Sequence, residues 1–262
     1  MMAFIVKYAA FSRISVAQAR RERGELYGRI VFFAVILGVF SSLWRAVAEA
    51  GMPVAADPKT LVWYLAATEW IVLSAPPIHL DIQEAIRRGD VVYRLGRPAS
   101  YVIGEFAASL GLLAARAPLL GLTAFLCAFA FTRWIPPLGA LAIVVPFGLA
   151  AAALMTGLHL WIGLLAFWLE DVSPVYWVWQ KLMFVLGGLM MPLELYPQFI
   201  QKAAAFTPFP VMLADPASFV VWNRLVTPGA LARSLVIWCC ATAIAVLWTF
   251  RRATSALTIN GG

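Results

Sequence analysis

Two histidines, three cysteines and a charged fraction of 13% leave this 262-residue chain few side chains with which to do chemistry. Cys127, Cys239 and Cys240 fall inside apolar runs, where a thiol is most often a small packing residue, so neither a disulfide framework nor a zinc site is implied. His79 and His159 are far apart in the sequence and expected at different depths, and a metal site or triad would need more partners than these. The phosphate-binding loop G-x-x-x-x-G-K-[ST] is missing, as are H-E-x-x-H, G-x-S-x-G and any Cys-x-x-Cys pair. No catalytic residue, metal or cofactor is expected in this chain. Any energy source must be an ion gradient or another polypeptide. Low-complexity tracts, repeats and a soluble domain are also absent.

What the chain has is hydrophobicity. Apolar residues make up 63% of it, and several runs reach the ~20 residues that cross a bilayer core. The expected fold is an all-α polytopic membrane protein, one transmembrane domain over residues 1–262. Six spans are expected near Ile30–Ala48, Pro58–Ile78, Tyr101–Phe131, Leu138–Trp168, Pro174–Met191 and Ala230–Phe250. With the amino terminus inside, twelve Lys and Arg residues fall on inner segments and five on outer ones, so both termini are expected in the cytosol of a cell whose inner membrane holds the protein. The net charge of +7 then reports topology and anionic membrane lipids, not nucleic acid. The first apolar run starts after about 29 residues that mix charge with aromatics, which is not a cleavable signal pattern.

Three segments lie outside the spans. Over residues 1–29, Phe4, Tyr8 and Phe11 recur at helical spacing while Lys7 and the arginines lie elsewhere, the pattern of an amphipathic helix along the inner leaflet. Residues 79–100 form a charged island. Asp81 is placed to cap a short helix, Glu84 to reach back, Arg87 and Arg88 to close its last turn and Gly89 to end it. Glu84 and Arg88 are spaced as an ion pair, while Ile82 and Ile86 leave a narrow apolar strip for a contact. Over residues 192–229, Pro197 suits a first helical position and Phe199, Ile200, Ala203 and Phe206 make one apolar face. Pro208, Pro210 and Pro216 are expected to break the chain beyond it, giving a pair of short helices that dip into the outer interface.

Ionisable residues inside the spans are costly, ~2.5 kcal/mol or more on insertion scales, and are therefore the candidates for a substrate path. Glu69 and Arg116 fall near the middle of antiparallel spans two and three and are spaced either to pair or to line a route. Glu105 lies three helical turns before Arg116, on the same face, while Ala107, Gly111 and Ala115 give the opposite side a small-residue packing stripe. His159 and Lys181 are weaker candidates, and Lys181 is able to snorkel. Glu170 and Asp171 are expected to cap span five. Trp161, Trp168, Trp177 and Trp179 read as an interfacial belt.

The ending YRLGRP at 93–98, the segment GGLMMPLELYPQFIQ at 187–201 and TPFPV at 207–211, set among these elements, resemble the permease subunit of type-two ABC exporters. That resemblance implies a half-transporter for hydrophobic or amphipathic compounds. It implies a second permease, identical or paralogous, and a cytosolic ABC ATPase dimer that carries ATP and Mg. It also implies an ATPase-coupling contact at Ile82, Gln83, Glu84, Ala85, Ile86, Arg87 and Arg88. A gradient-driven transporter with Glu69, Glu105 and His159 as a proton path, or a non-transporting scaffold for an ATPase, are the alternatives.

Overall fold

The computed structural model describes residues 2–19, 23–50, 57–95, 100–221 and 226–260. The chain is an all-α polytopic membrane protein. In order, the helices are α1 (Met2–Ala19), α2 (Arg23–Glu49), α3 (Pro58–Ser74), α4 (Ile78–Arg87), α5 (Asp90–Leu95), α6 (Tyr101–Thr132), α7 (Leu138–Leu164) and α8 (Ser173–Leu186). They continue through α9 (Gln198–Ala204), α10 (Phe209–Met212) and α11 (Ala214–Val221) to α12 (Pro228–Asn260).

Among the described residues, five stretches are long and apolar enough to cross a membrane: α2, α3 continued into α4, α6, α7 and α12. The expected fifth crossing, Pro174–Met191, is helical only as α8, whose 14 residues extend ~21 Å and fall short of a ~30 Å core. Its sequence explains the stop. Gly188 adopts φ +64, open to glycine, and a side chain on Gly187 would press into the Met183 carbonyl and lie 2.9 Å from Leu213.

The core is organised around α3. Every residue from Leu61 to Ile71 is buried, as expected of a helix that is apolar all round. Tyr64 donates a 2.6 Å hydrogen bond to the Gly188 carbonyl and Thr68 a 2.7 Å bond to that of Leu189, so the turn after α8 is tied to the central helix. Trp70 lies over Gly121 of α6 and Gly148 of α7, and its Nε1 donates to the Ala117 carbonyl at 2.9 Å. α1 runs beside the first turns of α6. The Tyr8 hydroxyl accepts from Ser100 N at 3.0 Å, Phe11 lies on Gly104, and the Ser12 hydroxyl donates to the Ala107 carbonyl at 2.6 Å.

Beyond α8 the prolines start helices instead of breaking them. Pro210 is the second residue of α10 and Pro216 the third of α11, first-turn positions whose missing N–H has no helical partner to lose. Among its described residues the segment therefore holds three short α-helices, preceded by a 3-10 turn at Leu193–Leu195, where two helices were expected. In α9, Pro197 stands one residue earlier than expected, as the N-cap. The expected apolar face points outward, with Phe206 85% exposed, while Gln201 turns in to donate to the Tyr196 carbonyl at 2.8 Å.

Candidate functional site

The charged island folds as α4 and α5. α4 starts at Ile78, with Pro77 as its N-cap, so Asp81 sits inside the first turn instead of capping it. Pro76 and Pro77 are what separate it from α3. Its end is as expected: Gly89 takes φ +77, Gly89 N donates to the Ile86 carbonyl at 3.0 Å, and Glu84 meets Arg88 at 2.6 Å.

The apolar strip is not an outward surface. Ile82 is 1% exposed, and a Cβ built on Gly163 of α7 would lie 3.0 Å from the Ile82 Cβ, so Ile82 fills the space that this glycine leaves. Ala85 is buried beside it and Ile86 is half-buried. Gln83 is also turned inward, its Oε1 accepting from Val172 N at 2.7 Å, which fastens α4 to the loop before α8. Of the seven residues expected to touch a partner, Ile82, Gln83 and Ala85 therefore serve the protein's own packing. Glu84, Arg87 and Arg88 face out, next to exposed Leu80, Val92 and Tyr93. The LGRP residues 96–98 lie outside the described residues.

Behind that outward face is a polar cavity of about 470 Å³ between α1, α4, α5 and α6. Glu84 and Arg88 line it from α4, and Glu105 and Arg116 from α6, three turns apart on one wall as the spacing predicts. Arg94 of α5 reaches Glu105 at 2.7 Å. Glu69 is 3% exposed in the middle of α3 and takes no part in this wall. It stands at the level of Arg116, as the Trp70 to Ala117 hydrogen bond shows, yet no ion pair joins Glu69 to Arg116 among the described residues.

His159 belongs to a different place. Its ring centroid is 5.5 Å from that of His79, which stacks on Tyr176 at 3.7 Å. The two histidines thus share one depth, against expectation, because α4 continues from α3 alongside α7, where Gly163 lets it approach. Sequence reasoning missed Tyr176, Gln180 and Arg29, which line a second cavity with His159. By sequence Arg29 reads only as a positive inner residue, and the one available signal is Tyr176 and Gln180 a turn apart on the same helix face. Lys181 lies over the exposed Trp177 ring at 5.5 Å, consistent with snorkelling. The N-cap of α8 is Val172, not Glu170 or Asp171 as expected, and Asp171 stands just before it, its Oδ1 accepting from Ser173 N at 2.9 Å and from the Ser173 hydroxyl at 2.6 Å.

In the first turn of α11, burial and then the neighbouring Glu194 carboxylate push Asp215 up to about 6. A carboxyl raised in the folded state binds its proton more tightly there than when unfolded. Its stabilising contribution is complete below the unfolded pKa of ~3.9 and is lost as pH rises through about 6. Melting curves from pH 4 to 7 are expected to show that decline for the intact chain and a flatter profile for Asp215→Asn. An unchanged slope in the variant would assign the effect to other groups.

The family described as ABC-2 family transporter protein matches residues 64–261. No curated protein matches the chain.

Proposed function

This chain belongs to the ABC-2 family of transporter proteins, and we propose that it is the permease subunit of an exporter driven by a separate cytosolic ABC ATPase dimer. In this reading the protein sits in the cell's inner membrane with both termini cytosolic. It pairs with a second permease, identical or paralogous, and moves a hydrophobic or amphipathic compound out of the cytosol or inner leaflet. ATP and Mg belong to the partner, whose closure must favour one permease conformation over the other for motion to be coupled. The topology requires α8 together with the Gly187–Met191 turn to carry the chain back to the outer side before α12. α1 is read as the amphipathic element of the inner leaflet, resting on α6.

One observation carries the coupling assignment. The charged residues on the outward side of α4, Glu84 and Arg88, line the same cavity as Glu105 and Arg116, and Arg94 of α5, the helix that follows α4, is tied to Glu105 of α6, so a push on α4 and α5 has a route to the charged wall of α6. The gradient-driven alternative lacks this support, because Glu105 opens on that cavity, His159 on another, and Glu69 on neither.

Copurification with a cytosolic ATPase is the expected result for the intact chain, whereas pH-driven flux from the isolated chain would favour a gradient transporter. Arg87→Ala with Arg88→Ala removes two exposed charges and only the exposed Glu84–Arg88 pair, and should leave melting nearly intact. It should lower the ATPase activity of the complex about tenfold or more, since losing one side of a charge contact at an interface costs about 2–5 kcal/mol. Normal ATPase activity in that variant would remove the assigned contact.

A further inference from the structure

A cavity of about 380 Å³ lies between α3, α6, α7 and α11. Small residues on two helices leave the space, Ala66 and Ala67 on α3 and Ala117, Gly121 and Ala124 on α6. Two tryptophans of α3 keep it from closing. Trp70 is seated against Gly121 and Gly148, and Trp63 meets the Phe125 ring edge-on with centroids 5.4 Å apart. Both indole N–H groups are committed elsewhere, that of Trp70 to the Ala117 carbonyl at 2.9 Å and that of Trp63 to the Trp134 carbonyl at 3.1 Å. Every other lining side chain is Ala, Gly, Pro, Val, Leu or Phe, so the cavity offers an occupant neither charge nor a free hydrogen-bonding side chain. Water held there would need two to four polar partners and finds none, while an empty space would cost the lining its dispersion contacts.

The mouth decides what enters. Pro118 of α6 and Val145 and Leu149 of α7 line the cavity and are exposed. Val145 and Leu149 lie ~10 and ~17 Å along α7 from Leu138. Both α6 and α7 are long and apolar enough to cross a membrane, so the opening falls within the ~30 Å hydrocarbon core and not among the headgroups. The medium against it is alkyl chain.

We propose that this cavity is a binding site for one alkyl chain of a bilayer lipid, which enters sideways between Pro118 and Val145 and lies against the Trp63 and Trp70 rings. The site goes beyond the permease reading and does not depend on it. It depends on the membrane-spanning fold.

The test uses the full chain in phosphatidylcholine nanodiscs doped with a phosphatidylcholine that carries a diazirine in one acyl chain, irradiated and mapped by peptide mass spectrometry. Adducts are expected on Ala66, Ala67 and Ala117, each at most 8% exposed, where labelling requires a chain inside the cavity. Val145→Trp narrows the mouth at a position 47% exposed, so the variant should fold. It should lower those adducts at least about tenfold relative to adducts on the exposed residues Val31, Val35 and Val39 of α2, the internal standard for bilayer contact. Absence of adducts on the three alanines in the wild type, or an unchanged yield in Val145→Trp, would overturn the proposal. Should Val145→Trp fail to fold, Leu149→Trp blocks the same mouth and is read in the same way. The competing cover is a second copy of the chain. If a short bis-maleimide joins two chains of Val145→Cys at residue 145, protein and not lipid occupies the mouth, and the proposal falls. Failure to copurify an ATPase removes the permease reading and leaves these adducts as they stand.

Discussion

Ile82→Asp is expected to prevent the α4 end of the bundle from folding. At 1% exposure, packed onto the Gly163 backbone and clustered with Tyr101, Val102, Leu160 and Leu164, the side chain has no route to water. Placing a carboxylate there removes the burial of an isoleucine and strands an unpaired charge, together about 3–5 kcal/mol or more. For a helix of ten residues held mainly by tertiary contacts, that exceeds what α4 gains from its own hydrogen bonds. The expected readout is loss of a monodisperse peak in size exclusion, or a fall in Tm of several degrees, with hydrogen exchange raised across 78–87. Ile86→Asp, at a half-buried position, is expected to cost a fraction of this. A wild-type melt for Ile82→Asp would mean that α4 hangs free of α7.

This expectation reverses what the sequence suggests for the same residue, and the reason is physical. Helical spacing shows that Ile78, Ile82, Ala85 and Ile86 share a face, but an amphipathic face says only that something apolar covers it. Whether the cover is a partner or the chain itself depends on contacts between residues some eighty positions apart, here α4 on α7. Features governed by local rules were legible: the Gly89 stop, the Glu84–Arg88 pair and the shared wall of Glu105 and Arg116. Those governed by packing were not. The shortness of α8 follows from Gly187 and Gly188 meeting Leu213 and Tyr64, which hydropathy does not register. The nearness of His79 to His159 follows from the packing of α4 on α7, and Glu69 and Arg116 form no ion pair among the described residues because equal depth does not fix the direction in which a side chain points.

The small-residue stripe on α6 was also legible, though not the helix that would occupy it, and it sets the second large effect. A Cβ on Gly111 would be driven onto the Ser12 carbonyl oxygen and would sit 2.7 Å from the Ser12 Cα and 2.9 Å from its carbonyl carbon. These are backbone atoms, unable to rotate aside as a side-chain tip would. Gly111→Val must therefore lift α1 off α6, breaking the Ser12 hydroxyl bond to the Ala107 carbonyl and the Ser100 bond to the Tyr8 hydroxyl. Overpacking of this kind costs about 1–3 kcal/mol, and the two lost hydrogen bonds about 1 kcal/mol each. Gly104→Ala is the matched control one helical neighbourhood away. Its nearest atoms are on the Phe11 ring at 3.6 Å, an ordinary contact, so a near-neutral effect is expected. The prediction is a clear drop in Tm and faster hydrogen exchange over residues 8–16 for Gly111→Val, with neither change for Gly104→Ala. Equal melts for the two variants would show that α1 does not rest on α6 through this glycine.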